Sequence, residues 1–307
     1  MESSQKLWLV TGKGGVGKTT LAAALGLYSA ESGQETLMVE THGLNHLGDL
    51  MGKPKVGYRP RRVGEKLWLA QISAEEALEE YLLQQIKIKA IYNAVFKNRY
   101  VRHFMDAAPG LVELLTIGKI WALTRGKGQY GNQRTFDRVI VDAPSTGHGL
   151  SLLTVPEVVA NAVKIGPLRS KSEQILELIR DPKQTLVWLS TLAEDMPVTE
   201  ATEMATTLES KVRVGLAPIL VNGLWPDLLS ESSWKEVKQA VKGNALLKSY
   251  CSRYELSRFY LDKIKTNLSG HDFWEIPLVY QVNSPYEIAL RIKDRMKTYF
   301  AGEANGR

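Results

Sequence analysis

The sequence predicts an α/β fold built on a doubly wound, mostly parallel sheet, and three observations lead there. Short apolar runs of strand length recur along the chain with helical segments between them, the alternation that parallel strands require. The first run, residues 6–10 (KLWLV), stops at a glycine-rich turn, and residues 19–30 follow it with apolar side chains at helical spacing. The central runs, such as residues 136–141 (FDRVIV), read as strands buried in a sheet covered on both faces.

The remaining elements follow in chain order. Strands are expected at residues 36–39, after Ser32-Gly33, and at 66–72 (KLWLAQI). Ser73, three places before Glu76, forms a capping-box pattern that starts a helix. From Glu75 to Gly126 the pattern is almost wholly helical, which predicts a helical subdomain of about residues 75–130 inserted between strands. Further strands are expected at residues 136–141, 184–190 (QTLVWLS), 215–221 (GLAPILV) and 275–279 (EIPLV), and a closing helix at 284–300. The chain thus reads as a single domain over residues 1–307, with a flexible tail at 301–307 (AGEANGR).

Composition excludes several classes. With 44% hydrophobic and 23% charged residues, the chain matches neither a disordered protein nor a membrane bundle. No apolar run approaches the roughly 18 to 20 residues that span a bilayer, and the first residues lead straight into a strand, so a cytoplasmic location is expected. Cys251 is the one cysteine of the sequence, which excludes an intrachain disulfide and a CxxC zinc clip. The formal charge of +6 is spread along the chain, and the densest basic stretch, Lys53, Lys55, Arg59, Arg61 and Arg62, reads as a solvated loop. Nucleic acid is not expected as a partner.

The chemistry is carried by Gly12-Lys13-Gly14-Gly15-Val16-Gly17-Lys18-Thr19, which fits GxxxxGK(S/T) between a strand and a helix. Glycines let the backbone wrap closely around phosphate, so that successive N–H groups and the helix N-terminus face negative charge. Gly12, Gly14, Gly15, Val16, Gly17, Lys18, Thr19 and Thr20 are therefore the expected nucleotide-binding residues, with Lys18 on the β and γ phosphates and Thr19 on Mg²⁺. Lys13 is not needed to build such a loop and calls for its own explanation.

A second segment, residues 142–150 (DAPSTGHGL), places an acidic residue at the C-terminal end of a strand, where a parallel sheet opens its ligand crevice. Asp142 is the expected second metal residue, through water, and the glycine-containing loop after it could sense the γ-phosphate. His148 could serve as a metal ligand or a base, but it reads first as a conformational hinge or a structural hydrogen bond.

Taken with residues 107–115 (AAPGLVELL), these two segments resemble the family of arsenite-pump and tail-anchored-protein-targeting ATPases, P-loop proteins with a deviant Walker A motif. Residues 180–204 (RDPKQTLVWLSTLAEDMPVTEATEM) resemble the family's DPxxT strand and following helix, and residues 220–225 (LVNGLW) its adenine-side asparagine loop. The resemblance runs from about residue 6 to 300. It implies ATP and Mg²⁺ as cofactors, a dimer of the chain with itself or a paralogue, Lys13 reaching the partner's phosphates, and Asn222 and the backbone near Pro277 beside the adenine. It further implies nucleotide-driven opening and closing that regulates or carries a protein client, with membrane contact at most indirect.

The sequence departs from this family in three places. His42 stands where the family's first switch carries the aspartate that positions the attacking water, which predicts slow hydrolysis or the use of Glu40 instead. The zinc CxxC and the arsenite-binding cysteines are absent, so neither activity carries over. The chain holds one ATPase unit, and residues 156–181 are too short for much of the client-binding subdomain. Two rival readings remain: a nucleotide-dependent binding module with little turnover, and a partitioning-type ATPase acting on DNA or membrane through the basic last helix, Arg291, Lys293, Arg295 and Lys297.

Overall fold

The computed structural model describes residues 5–41, 43–53, 55–85, 110–125, 134–227 and 244–305. His42 and most of the expected helical insertion, residues 86–109 and 126–133, lie outside this set.

An eight-stranded sheet is formed by β1 (Leu7–Gly12), β2 (Thr36–Glu40), β3 (Arg61–Gly64), β4 (Leu67–Gln71), β5 (Arg138–Asp142), β6 (Thr185–Leu192), β7 (Ile219–Leu224) and β8 (Phe273–Pro277), in the order β3-β4-β2-β5-β1-β6-β7-β8. Every pairing is parallel except β3 with β4. The helices are α1 (Lys18–Glu31), α2 (His46–Leu50), α3 (Ala74–Gln85), α4 (Leu111–Arg125), α5 (Thr146–Ala162), α6 (Pro167–Arg180), α7 (Asp195–Thr207), α8 (Ala245–Asn267) and α9 (Pro285–Asn305).

The continuous apolar runs are explained by two cores. Leu7 and Leu9 of β1 face one layer, with Ile117 of α4, Leu152 of α5, Ile175 of α6 and Met204 of α7. Trp8 and Val10 face the other, with Leu21 and Leu25 of α1 and Ile292 and Met296 of α9. Because helices cover both faces, both sets of alternating side chains are buried, and residues 7–10 carry no polar position. Gly26 lets α1 lie close to β2: a Cβ there would stand 2.3 Å from the Met38 sulfur.

Local signals place the helix starts. Ser73 Oγ accepts the Glu76 backbone N–H at 3.1 Å and lies 3.0 Å from its carboxylate, so the capping pattern does start α3. Pro167 occupies the first turn of α6 after Gly166, and Asn244 caps α8 by accepting from Leu246 N and Leu247 N.

Four expectations are corrected. The basic stretch is not all loop, since Arg61 and Arg62 belong to β3, a short antiparallel edge strand. The strand expected at residues 215–221 begins only at Ile219: Gly215 and Ala217 pair with Val187 alone, and Pro218 has no N–H to continue a ladder. The strand expected at 275–279 is β8, which begins two residues earlier and ends at Pro277. The closing helix expected at 284–300 is α9, which runs from Pro285 to Asn305. Its basic face is engaged rather than free: Lys293 and Lys297 pair with Glu31 of α1, Arg291 pairs with Glu287, and Ala289, Ile292 and Met296 are buried.

Candidate nucleotide site

β1 is flanked by β5 and β6, so three parallel strands end side by side and the segments leaving them converge. From β1 the chain enters the glycine loop. Gly12 has φ of 146°, and a Cβ on it would stand 2.1 Å from the Ser190 carbonyl oxygen of β6, so only glycine allows this contact. Gly15 and Gly17 also have positive φ, at 86° and 90°, whereas Gly14 and Gly15 have open space where a Cβ would lie. The two exposed glycines thus leave room for a ligand to approach the backbone, while Val16 is buried and anchors the loop. Asn222 Nδ2 donates to the Val16 carbonyl at 2.9 Å, so the asparagine expected beside the adenine also braces the loop. Pro277, at the end of β8, is in register with Leu224 of β7, and Leu278 N donates to the Leu224 carbonyl.

Lys18, first residue of α1, is 9% exposed and donates from Nζ to the Lys13 carbonyl at 2.9 Å. Burial pushes its ammonium below the ordinary lysine value, against the opposing pull of Asp142. A desolvated cation inside a ring of backbone groups favours an anionic ligand, since phosphate would restore what burial removed. Thr19 Oγ1 donates to Asp142 Oδ2 at 2.7 Å, joining the start of α1 to the end of β5. Asp142 is fully buried in the mouth of the crevice. A hydroxyl and a carboxylate side by side, next to a phosphate loop, are the oxygen donors that Mg²⁺ takes together with substrate phosphates. Thr20, half-buried in the first turn of α1, lies next to them in the chain.

Glu40 closes β2. It is 2% exposed at the end of β2, level with Asp142 across the β2–β5 pair. Its Oε1 accepts from Leu44 N and His46 N at 3.2 and 3.1 Å, and its Oε2 accepts from Leu47 N at 2.9 Å. The carboxylate thereby organises the turn into α2, including Asn45 in the left-handed region with φ of 58°. Thr41 Oγ1 ties the same turn to the Asp142 carbonyl at 3.0 Å. His148 is 75% exposed on α5, with Nδ1 3.3 Å from Glu113 Oε1 of α4. Among the described residues no group of three or more His, Cys, Asp and Glu side chains is set to hold a metal.

Sequence reading missed Glu200. This α7 residue forms an ion pair with Lys13 and accepts from Thr146 Oγ1 at 3.3 Å, so it touches both segments that flank the crevice. Two cavities also went unread. One of about 470 Å³ lies beyond the ends of β6 and β7, lined by Leu192, Gly223, Trp225, Arg253 and Tyr260. Another of about 960 Å³ lies beside Trp68 of β4, where Lys119 meets Glu80 at 2.7 Å beneath Tyr58, with its ammonium pushed down by burial.

A strand, a glycine loop and a helix, with a threonine and a strand-end aspartate closing the mouth, define the class: a P-loop nucleotide-binding protein of the parallel-sheet kind. The anion-transporting ATPase family matches residues 5–179, more than half of the chain, and the chain belongs to that family. ATPase BagA of Mycobacterium tuberculosis is 32% identical over 72% of the chain, which spans 65% of that relative's length. ATPase GET3B of Arabidopsis thaliana is 23% identical, over 80% of the chain and 70% of its own. ATPase ARSA1 of Chlamydomonas reinhardtii is 27% identical, over 57% of the chain and 26% of its own.

Proposed function

We propose that the chain is a Mg²⁺-dependent ATPase that works as a dimer and couples nucleotide state to a protein client. The observation that carries this reading is the convergence of Lys18, Thr19 and Asp142 on one crevice at the ends of adjacent central strands. Thr19 and Asp142 would hold the metal, whose contribution is to offset charge on the phosphates. Lys18 and the loop backbone bind and orient the phosphates, and Asn222 keeps the loop in shape through Val16. Asn222 and the strand ends near Pro277 form the base side. Lys13 is 30% exposed at the mouth, and on this reading its role is to complete the partner's site as an arginine finger does.

The direct test pairs two variants. Lys18→Ala is expected to abolish nucleotide binding, while Lys13→Ala keeps binding and loses phosphate release. A Lys13→Ala protein with normal turnover would sink the in-trans role.

A second reading, a nucleotide-dependent binding module with little turnover, is favoured by one observation: both carboxylate oxygens of Glu40 accept backbone N–H groups of the turn before α2. Single-turnover phosphate release separates the two. Equal rates in the wild type and in Asp142→Ala would establish the module. The partitioning-type reading has less support, because the basic face of α9 is paired with α1 and its apolar face is buried. Among the described residues no helix is long and apolar enough to cross a membrane.

A further inference from the structure

We infer that Glu200 is the positioning residue for Lys13, and that the same carboxylate links the phosphate-loop lysine to the segment following Asp142. The inference rests on the reading of Lys13 as a participant in turnover. Lys13 leaves β1, Thr146 opens α5 just beyond β5, and Glu200 stands in the second turn of α7 just beyond β6. These three strands are neighbours in the sheet, which is why residues 187 apart in sequence meet. Each carboxylate oxygen has its own donor: Oε1 takes the Lys13 ammonium and Oε2 the Thr146 hydroxyl at 3.3 Å.

A plain helix-anchoring ion pair is the alternative, and the packing speaks against it. α7 is already held to the sheet by Val198, Ala201, Met204 and Ala205, all buried on its apolar side, and Glu200 projects toward the glycine loop. Lys13 and Glu200 are 30% and 28% exposed, so the pair is weakly stabilising and can yield when phosphate competes for the ammonium. A lysine on a flexible four-carbon stem otherwise samples many rotamers. Holding it in one of them, over the mouth of the site, removes that search. Sharing the carboxylate with Thr146 means that movement of the loop after β5 alters the hold on Lys13.

The test is a double-mutant cycle on the full chain, with Lys13→Ala, Glu200→Gln and the pair, read by steady-state kcat and KM for ATP, single-turnover phosphate release and thermal unfolding. Glu200→Gln is expected to lower kcat at least about tenfold, the scale of a misplaced catalytic group, with KM changed less than about twofold and an unchanged unfolding midpoint. In the Lys13→Ala background it should have no further effect on the residual single-turnover rate. Glu200→Asp, which keeps the charge, should recover part of kcat. The inference is overturned if Glu200→Gln turns over normally, if it costs the same factor without Lys13, or if its only effect is a lower unfolding midpoint. Lys13→Ala with normal turnover overturns the reading of Lys13 and this inference together. An inactive Lys13→Ala beside an unaffected Glu200→Gln overturns this inference alone.

Discussion

Replacing Glu40 by glutamine distinguishes a buried anchor from a base. The native carboxylate accepts at least three backbone N–H groups, those of Leu44 and His46 on one oxygen and that of Leu47 on the other, and it is almost fully buried. Glutamine keeps the shape but offers one acceptor, so either Leu47 N or the pair at Leu44 and His46 must face an NH₂ group. A buried N–H left unsatisfied costs about 1–3 kcal/mol, and each surviving bond falls from a charged to a neutral one, a loss of about 1 kcal/mol apiece. The sum is about 3–5 kcal/mol, a large share of the roughly 5–15 kcal/mol that holds a typical domain together. Urea unfolding followed by circular dichroism should show the lower midpoint with an unchanged slope. Amide exchange at Leu44, His46 and Leu47 should speed up in the same variant. A Glu40→Gln protein with the wild-type midpoint and no phosphate release would refute this reasoning and return Glu40 to the role of a base.

Two further outcomes are expected. Gly12→Ala should cost about 3 kcal/mol or more, since it combines a disfavoured φ with a Cβ pressed into the β6 backbone, whereas Gly14→Ala, with open space at its Cβ, should stay within about 0.5 kcal/mol; thermal unfolding of the pair checks both. Nucleotide affinity should fall as pH rises through the lowered value of Lys18, below the ordinary 10.5, because phosphate needs the charged form and binding must then take up a proton. Calorimetry in buffers of different ionisation enthalpy measures that uptake, and wild-type binding with no proton uptake as pH rises toward 10.5 would remove the assignment.

Much of this molecule was legible in its sequence because central parallel strands are buried on both faces: the apolar stretches 7–10 and 139–141 marked two of them, and the glycine loop was marked by its place between strand and helix. The edge was not legible. β3 pairs on one side and is mostly exposed, so Arg61, Arg62 and Gly64 carry no burial signal. Glu40 was visible as an acid at a strand end, but its use depends on the turn that follows, where backbone N–H groups claim it. Glu200 sits in an ordinary amphipathic pattern, and its meeting with Lys13 follows only from β6 lying beside β1. The signal available was an acidic residue near the start of a helix leaving a neighbouring strand, which is too common to single out.

The two borders of the sheet bear on how copies of this chain can associate. One border is four residues long, antiparallel and arginine-bearing, and the other stops at a proline. Neither offers a long apolar ladder for a stranger's strand to extend, so edge-to-edge growth into filaments is discouraged at both ends. The glycine loop lies away from both borders, at the end of the central strand β1.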